Sequence, residues 1–575
     1  MGVNDTILFW GLLFILNSIY FWPRYILESG RSDFFPFAGL ISGKLKRRFR
    51  YLAIRLNYDI WRVSVDFLVL MVAYVLWLNQ VFTPVQFTIV AALFYGFTLI
   101  YQIYYSAFEK LYHLDPLIYH DWFMMKVAFK IFIHEYDWKN FFITIGALVF
   151  GEIYTLIIYF LCVISGEVVF GVGSYIVISI AVLGGIWCIW KYEPNRFPQV
   201  VFQSQIASMI QNVIGSLNAR REVKSLTLEK MKEYNIDTDV RLERKPNIYF
   251  IVVESYGRMI FDEPKFKEQY LQYIPGLQNE LAQQGWHSTS GVTRSAVTGG
   301  ASWISYTSML YGLNVKGQGL YLTLFKNPHI TEYDSLFNWL RRQGYDTWRL
   351  SSLGGYHKME IPYDRYSLLY GVDNWIKYFD LEYTGPEYGF GPSPPDQYAL
   401  HFAHEKIKRE TEGPRAMFYI TQNSHTPFES PTEVVDDWQS LRDENYTAPQ
   451  KSKFWSRPNL DLYGEAIEYQ LKYLTDFIRK RGEDDDIFIL VGDHQPASLS
   501  IEVQKRETPI HIISKNKSFI DGWNEYGFVK GMNPAEAEKT IAQEAIHWAL
   551  LRRLIGEYAK EGAKLPEFLP NGIPF

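Results

Sequence analysis

Five apolar stretches crowd the first third of this 575-residue chain, at residues 7–22, 63–78, 85–105, 141–164 and 168–190. Each approaches the roughly 17–25 residues that a helix needs to cross a bilayer. Hydrocarbon offers backbone groups no partner, so a spanning run must satisfy its own N–H and C=O groups as a helix. The first run has no basic stretch before it and no small-residue cleavage site, and it reads as an uncleaved span. The remaining residues have the mixed polarity of a soluble protein. The expected organisation is a five-helix transmembrane domain over 1–192, linker helices at the membrane surface over 193–244, and a soluble domain over 245–575.

Charge near the apolar runs bears on orientation. Lys44, Lys46, Arg47, Arg48, Arg50 and Arg55 lie between the first two runs. The positive-inside rule puts this loop in the cytoplasm, and four further spans would return the soluble domain to the same side. On the outer side the same cluster would rest on anionic headgroups. Residues 122–133 are apolar, with Lys126 and Lys130 one turn apart, the pattern of a helix lying in the interface. Glu152 falls inside the fourth run, where a carboxylate is costly and faces a cavity or a partner.

Net charge is −5, so electrostatics gives no case for a nucleic-acid partner. The only cysteines, Cys162 and Cys188, sit in apolar runs. The soluble part therefore holds no disulfide and no thiolate zinc site, and any metal there must use oxygen and imidazole ligands. Short apolar strands at 248–253, 417–420, 487–491 and 510–513 alternate with amphipathic helical stretches such as 463–479 and 535–554. That alternation predicts an α/β domain with a mostly parallel central sheet. In such sheets ligands bind beyond the carboxyl ends of the strands. Three strands end there in polar residues: Glu254-Ser255, Asn423-Ser424-His425 and Asp493-His494.

An Asp-His pair at a strand end, preceded by Gly492, is a pair of candidate metal ligands, and Glu254 is a third. Alone, each is equally a cap or a hydrogen-bonded structural residue. In Thr298-Gly299-Gly300-Ala301-Ser302-Trp303, small residues let the backbone approach an anion, and a hydroxyl at the start of the next helix meets the positive end of its dipole. A divalent cation would lower the pKa of such a hydroxyl. Ser302 and Thr298 are both eligible nucleophiles; without the other motifs either is an ordinary helix cap.

Taken together, Val252-Val253-Glu254-Ser255, Gly300-Ala301-Ser302-Trp303, Ser424-His425-Thr426-Pro427-Phe428 and Gly492-Asp493-His494 resemble the alkaline phosphatase/sulfatase superfamily. The likeness is closest to its membrane-anchored branch of lipoteichoic acid synthases and phosphoethanolamine transferases, and it covers nearly the whole chain. Sulfatases have the motif Cys-x-Pro-Ser-Arg, then Leu and Thr-Gly; Ser302, Ser305, Met309 and Gly312 fall at the corresponding places. This favours Ser302 over Thr298. The missing proline and Tyr306 in place of arginine speak against a formylglycine sulfatase.

The resemblance implies a sulfatase-like α/β domain facing away from the cytoplasm, on a multi-pass plasma (inner) membrane protein. It implies one divalent metal ion (Mn2+, Zn2+ or Mg2+) on Glu254, Ser302, Asp493 and His494, with His425 stabilising charge and protonating the leaving group. It places a phosphate-holding arginine at Arg365 and a histidine at Tyr356 or His357. The implied activity is transfer of a phospholipid headgroup to a glycan or glycolipid acceptor through phospho-Ser302. Phosphoglycerol is favoured, because the soluble domain lacks the cysteines of many phosphoethanolamine transferases. The alternatives are a membrane-anchored phosphodiesterase, phosphatase or sulfatase-like hydrolase, and a non-catalytic scaffold or transporter.

Overall fold

The structure is a computed structural model, describing residues 2–21, 63–112, 116–134, 138–164, 172–190, 202–354, 362–386, 393–426, 428, 432–443, 460–496 and 506–575. The chain divides into two compact units, one of Met1–Lys110 with Leu114–Arg220, the other of Leu111–His113 with Arg221–Phe575.

The first unit is helical. α1 (Gly2–Tyr20), α2 (Val65–Leu76), α3 (Pro84–Tyr112), α5 (Trp138–Ile164) and α6 (Val172–Trp190) occupy the five apolar runs, and α4 (Ile118–His134) covers the expected interfacial stretch. Among the described residues, two helices are long and apolar enough to cross a membrane, Pro84–Phe108 and Thr144–Ile164. The five-span count thus goes further than the helices do, because α2 has only 12 residues before Trp77 breaks it. Glu152 points outward from α5 rather than into a cavity of the unit. α7 (Gln205–Ser225) lies within the stretch 193–244. Its start is held by Asp66, in the first turn of α2, whose carboxylate accepts from Ser204 Oγ at 2.7 Å and from the backbone of Gln205 at 2.6 Å. One carboxylate thereby satisfies N–H groups that a helix start leaves open.

The second unit is built on a nine-stranded sheet. Its strands are β1 (Ile248–Val253), β2 (His287–Arg294), β3 (Asp346–Ser351), β4 (Asn374–Lys377), β5 (Arg415–Ile420), β6 (Ile487–Gly492), β7 (Glu507–Ser514), β8 (Val529–Lys530) and β9 (Thr540–Ala542). The order is β8-β2-β7-β6-β1-β5-β3-β4, with β9 also on β2. From β6 to β4 all pairs are parallel, but β6–β7, β7–β2 and β2–β8 are antiparallel. The sheet is mixed, which corrects the expectation of a mostly parallel one. β7 follows β6 after a connection of 14 residues and lies directly beside it, returning antiparallel. β1 and β6 are buried along their whole length, which explains their unbroken apolar runs.

The helices that frame the site are α8 (Pro264–Ala282), α9 (Ser302–Tyr311), α10 (Tyr363–Tyr370), α11 (Asp396–Glu410), α12 (Leu460–Arg481) and α13 (Gln543–Tyr558). The helix expected over 535–554 begins only at Gln543, because Thr540–Ala542 pairs with β2 instead. On one face of the sheet, Tyr249, Ile251 and Val253 pack with Tyr463, Leu474 and Phe477 of α12 in the main core.

Candidate active site

Register brings the strand ends together. Val253 of β1 pairs with Gly492 of β6, so Glu254 and Asp493 emerge side by side. A Cβ at Gly492 would collide with the Tyr256 carbonyl, so glycine is required here for close approach of two backbones and not for a positive φ. The turn after β1 does need an unusual backbone: Ser255 has φ 58°. In that conformation its N–H donates to Asp493 Oδ1 at 2.8 Å and its Oγ to Glu254 Oε1 at 3.0 Å. Strain at one residue thus orients both carboxylates.

Asp493 Oδ1 also accepts from the His494 N–H at 2.8 Å, whereas its Oδ2 is buried with no hydrogen-bond donor. His494 Nδ1 faces the Gln495 carbonyl at 2.8 Å, so it carries a proton and directs Nε2 into the site. That Nε2 lies 3.2 Å from Asp493 Oδ2 and 3.7 Å from Glu254 Oε1. Burial, then the neighbouring Glu254, push the Asp493 carboxyl up to about 7. Burial disfavours protonated His494, but Asp493 and Glu254 outweigh it and raise its pKa. Two buried carboxylates around one imidazole make a pocket short of positive charge.

Ser302 opens α9 behind Gly300 and Ala301, both left-handed at φ 65° and 57°. Its Oγ donates to Glu254 Oε2 at 3.1 Å and lies 3.1 Å from His494 Nε2. Thr298, the other eligible hydroxyl, is fully buried with no hydrogen-bond partner for its Oγ1. Among the described residues, Glu254, Asp493 and His494 are the one group of three whose ligand atoms all lie within 4.8 Å of one another. The orphaned Asp493 Oδ2 and the inward Nε2 fit a divalent cation held by oxygen and imidazole.

The Ser424 hydroxyl donates to the Glu254 carbonyl at 2.6 Å and ties the loop after β5 to the site. Next to it, His425 Nδ1 donates to the Thr426 carbonyl at 2.6 Å, and burial holds its pKa at about 4. His425 is therefore a neutral imidazole with its proton on Nδ1, a proton acceptor at Nε2. Arg365 donates to the Phe325 carbonyl at 2.7 Å and lies over the Phe325 ring; it makes no hydrogen bond to the carboxylates of the site. Tyr356 and His357 lie outside the described residues.

Three supporting residues were not foreseen. In the sequence Ser255 stands out only as part of its motif. Asp396, at the start of α11, accepts from the backbone of Gln422 and Asn423 and shapes the His425 loop. Gln543, at the start of α13, donates to the carbonyls of Gly492 and Asp493 at 2.9 and 3.0 Å, and accepts from Ser305 of α9 at 2.8 Å. A lone buried polar residue has no periodicity to reveal it.

Residues 246–526 match the family model described as Sulfatase. With the hydroxyl, carboxylates and imidazole converging at one sheet edge, this region makes the protein an enzyme of the sulfatase-like class. The match covers just under half of the chain and marks residues 246–526 as similar to the sulfatase family. No curated protein matches the sequence significantly. Among solved structures, the chain is similar to the integral membrane lipooligosaccharide phosphoethanolamine transferase A (EptA) of Neisseria meningitidis, at 12% identity over 94% of this chain and 95% of that one, TM-score 0.41. It is similar to the lipoteichoic acid synthase LtaP of Listeria monocytogenes, at 15% identity over 59% and 80%, TM-score 0.36. A third is the Streptococcus pyogenes phosphoglycerol transferase GacH in complex with sn-glycerol-1-phosphate, at 14% identity over 61% and 87%, TM-score 0.34.

Proposed function

We propose that this protein transfers a phospholipid headgroup, phosphoglycerol in preference to phosphoethanolamine, to a glycan or glycolipid acceptor on the outer side of a membrane. The observation that carries the reading is Ser302 Oγ at 3.1 Å from both Glu254 and His494, inside the buried three-ligand group. Apolar helices in the same chain support this reading, because a lipid donor is found in the membrane that such helices would enter.

Glu254, Asp493 and His494 would hold one divalent ion, of Mn2+, Zn2+ or Mg2+ type, with Ser302 beside it. A bound ion supplies positive charge that acidifies a neighbouring hydroxyl and neutralises phosphoryl oxygens. Ser302 Oγ forms a bond to phosphorus as the bond to the diacylglycerol oxygen breaks, and the Ser302 proton leaves on diacylglycerol. An acceptor hydroxyl then attacks the phosphoserine and gives its proton back to Ser302. Neutral His425 is suited to carry that proton in both half-reactions, accepting at Nε2 before it donates. Arg365 would reach the phosphate only after giving up the Phe325 carbonyl.

The test is S302A and T298A in membranes, with headgroup transfer followed by mass spectrometry of lipids and glycans. S302A is expected to lose at least a thousandfold in rate, and T298A to stay within tenfold. Full activity in S302A sinks the mechanism. Release of the headgroup to water at the same rate with and without acceptor would make the enzyme a phosphodiesterase.

A further inference from the structure

Arg349, on β3, is the buried charge that the reaction above does not use. Its side chain is 8% exposed and its Nη1 has no hydrogen-bond partner. Four rings enclose the guanidinium, with centroids at 4.3 Å for Tyr370, 4.6 Å for Phe418, 4.9 Å for Trp375 and 5.5 Å for Tyr306. Among the described residues, no carboxylate forms an ion pair or a hydrogen bond with it. Ring faces attract the cation and the Tyr306 and Tyr370 hydroxyls lie against it, but these neutral groups leave Nη1 without an acceptor and supply no counter-ion. A buried charge without a counter-ion is costly, and a fold keeps one where an anion arrives in use. Tyr306 links this cage to the site. It lies one turn after Ser302 on the same face of α9, so the two side chains are neighbours.

We propose that Arg349 is an electrostatic positioning residue, an uncompensated cation caged one turn behind Ser302 that draws the anionic phosphoryl group of the substrate onto the nucleophile. The inference rests on the phosphotransfer reading above. The cage keeps carboxylates away from the guanidinium and fixes its position, so its field is directed at the site without contact with the phosphate. At a separation of about 10 Å and an effective dielectric near 20, attraction of one unit charge corresponds to about tenfold in affinity.

The experiment uses the full-length, metal-loaded protein and measures binding of inorganic phosphate by calorimetry, with thermal melting as the structural control. R349M keeps the aliphatic stem among the rings and removes the charge. It is expected to bind phosphate about tenfold more weakly, while R349K stays within threefold of wild type. Phosphate affinity unchanged in R349M overturns the proposal, and so does R349K falling as far as R349M. If R349M does not fold, R349Q takes its place, and the R349K arm decides independently. S302A separates the two ideas: transfer surviving in S302A overturns the proposed function, whereas loss of transfer in S302A with no charge effect at position 349 overturns only the role of Arg349.

Discussion

Gln543 connects three parts of the site through one side chain. Its Nε2 donates to the carbonyls of Gly492 and Asp493 and faces Thr508 Oγ1 at 3.1 Å, while its Oε1 accepts from Ser305 Oγ. Ser305 in turn lies 2.8 Å from the Asp493 carbonyl. The ligand strand, the nucleophile helix and α13 are thus tied by hydrogen bonds that water cannot replace, because Gln543 is fully buried. Q543L removes the side chain that bridges the Gly492 and Asp493 carbonyls to Ser305, leaving only the Ser305 hydroxyl on Asp493, and should cost about 1–3 kcal/mol. Q543E should be worse, since a carboxylate oxygen then faces both carbonyls. Thermal melts and the metal content of purified protein check this; Q543E as stable and as metal-rich as wild type would disprove it. The candidate ligands were legible in the sequence because Glu254, Asp493 and His494 each follow an apolar strand. Gln543 and Arg349 were not: one is joined to Asp493 from 50 residues away, and the other sits within a strand that looks ordinary.

α11 shows how one element serves both the site and stability. Its first residue, Asp396, is fully buried and accepts from Tyr419 Oη at 2.6 Å, from the backbone of Gln422 and Asn423, and from Gln470 at 2.7 Å. These bonds fix the loop that carries His425. Further along, the same helix buries His401 and His404. His401 stacks on Trp438 at 5.9 Å and meets Phe477 at 5.1 Å, and neither of its ring nitrogens has a hydrogen-bond partner. Burial holds its pKa at about 3, helped by Arg481, His404 and Lys480; burial with Arg415 and Lys408 holds His404 at about 4. Both pKa values are depressed on folding, so between the folded values and about 6.5 the unfolded chain binds more protons. Stability is then complete above about pH 6.5 and falls as pH drops toward 4, by about 1.4 kcal/mol per unit for each histidine. H401F removes one contribution and two buried unpartnered nitrogens. Urea unfolding at pH 7 and pH 5 should show it losing about 2 kcal/mol less than wild type over that interval. An unchanged difference would refute the assignment. Strand identities were readable from apolar runs, but strand direction was not: a run such as Ile510-His511-Ile512-Ile513 is equally apolar in either sense, and only its place beside β6 makes it antiparallel.

The proposed use of a lipid donor requires the site on the correct side of a bilayer, and helix length bears on this more than hydropathy does. α1, α3, α5 and α6 have 19, 29, 27 and 19 residues. At about 1.5 Å per residue these measure roughly 28 Å or more, close to the roughly 30 Å hydrocarbon core. α2 has 12 residues, about 18 Å, and six of its side chains are buried within its own helical unit. A helix that short and that enclosed is expected to pack among its neighbours without crossing. If α3, α5 and α6 cross and α2 does not, three crossings separate residues 44–55 from the proposed catalytic domain, and the two are predicted to face opposite sides. That prediction would put the cluster in the cytoplasm, in keeping with the positive-inside rule, and the domain on the outer side. Cysteines placed at Lys46 and Lys267 report the two sides, the native Cys162 and Cys188 both lying in apolar runs. A membrane-impermeant maleimide applied to intact cells should label K267C and leave K46C unlabelled until the cells are opened. Labelling of both would show that α2 crosses after all. Labelling of neither would put the catalytic domain in the cytoplasm and remove the extracytoplasmic acceptor from the proposed reaction.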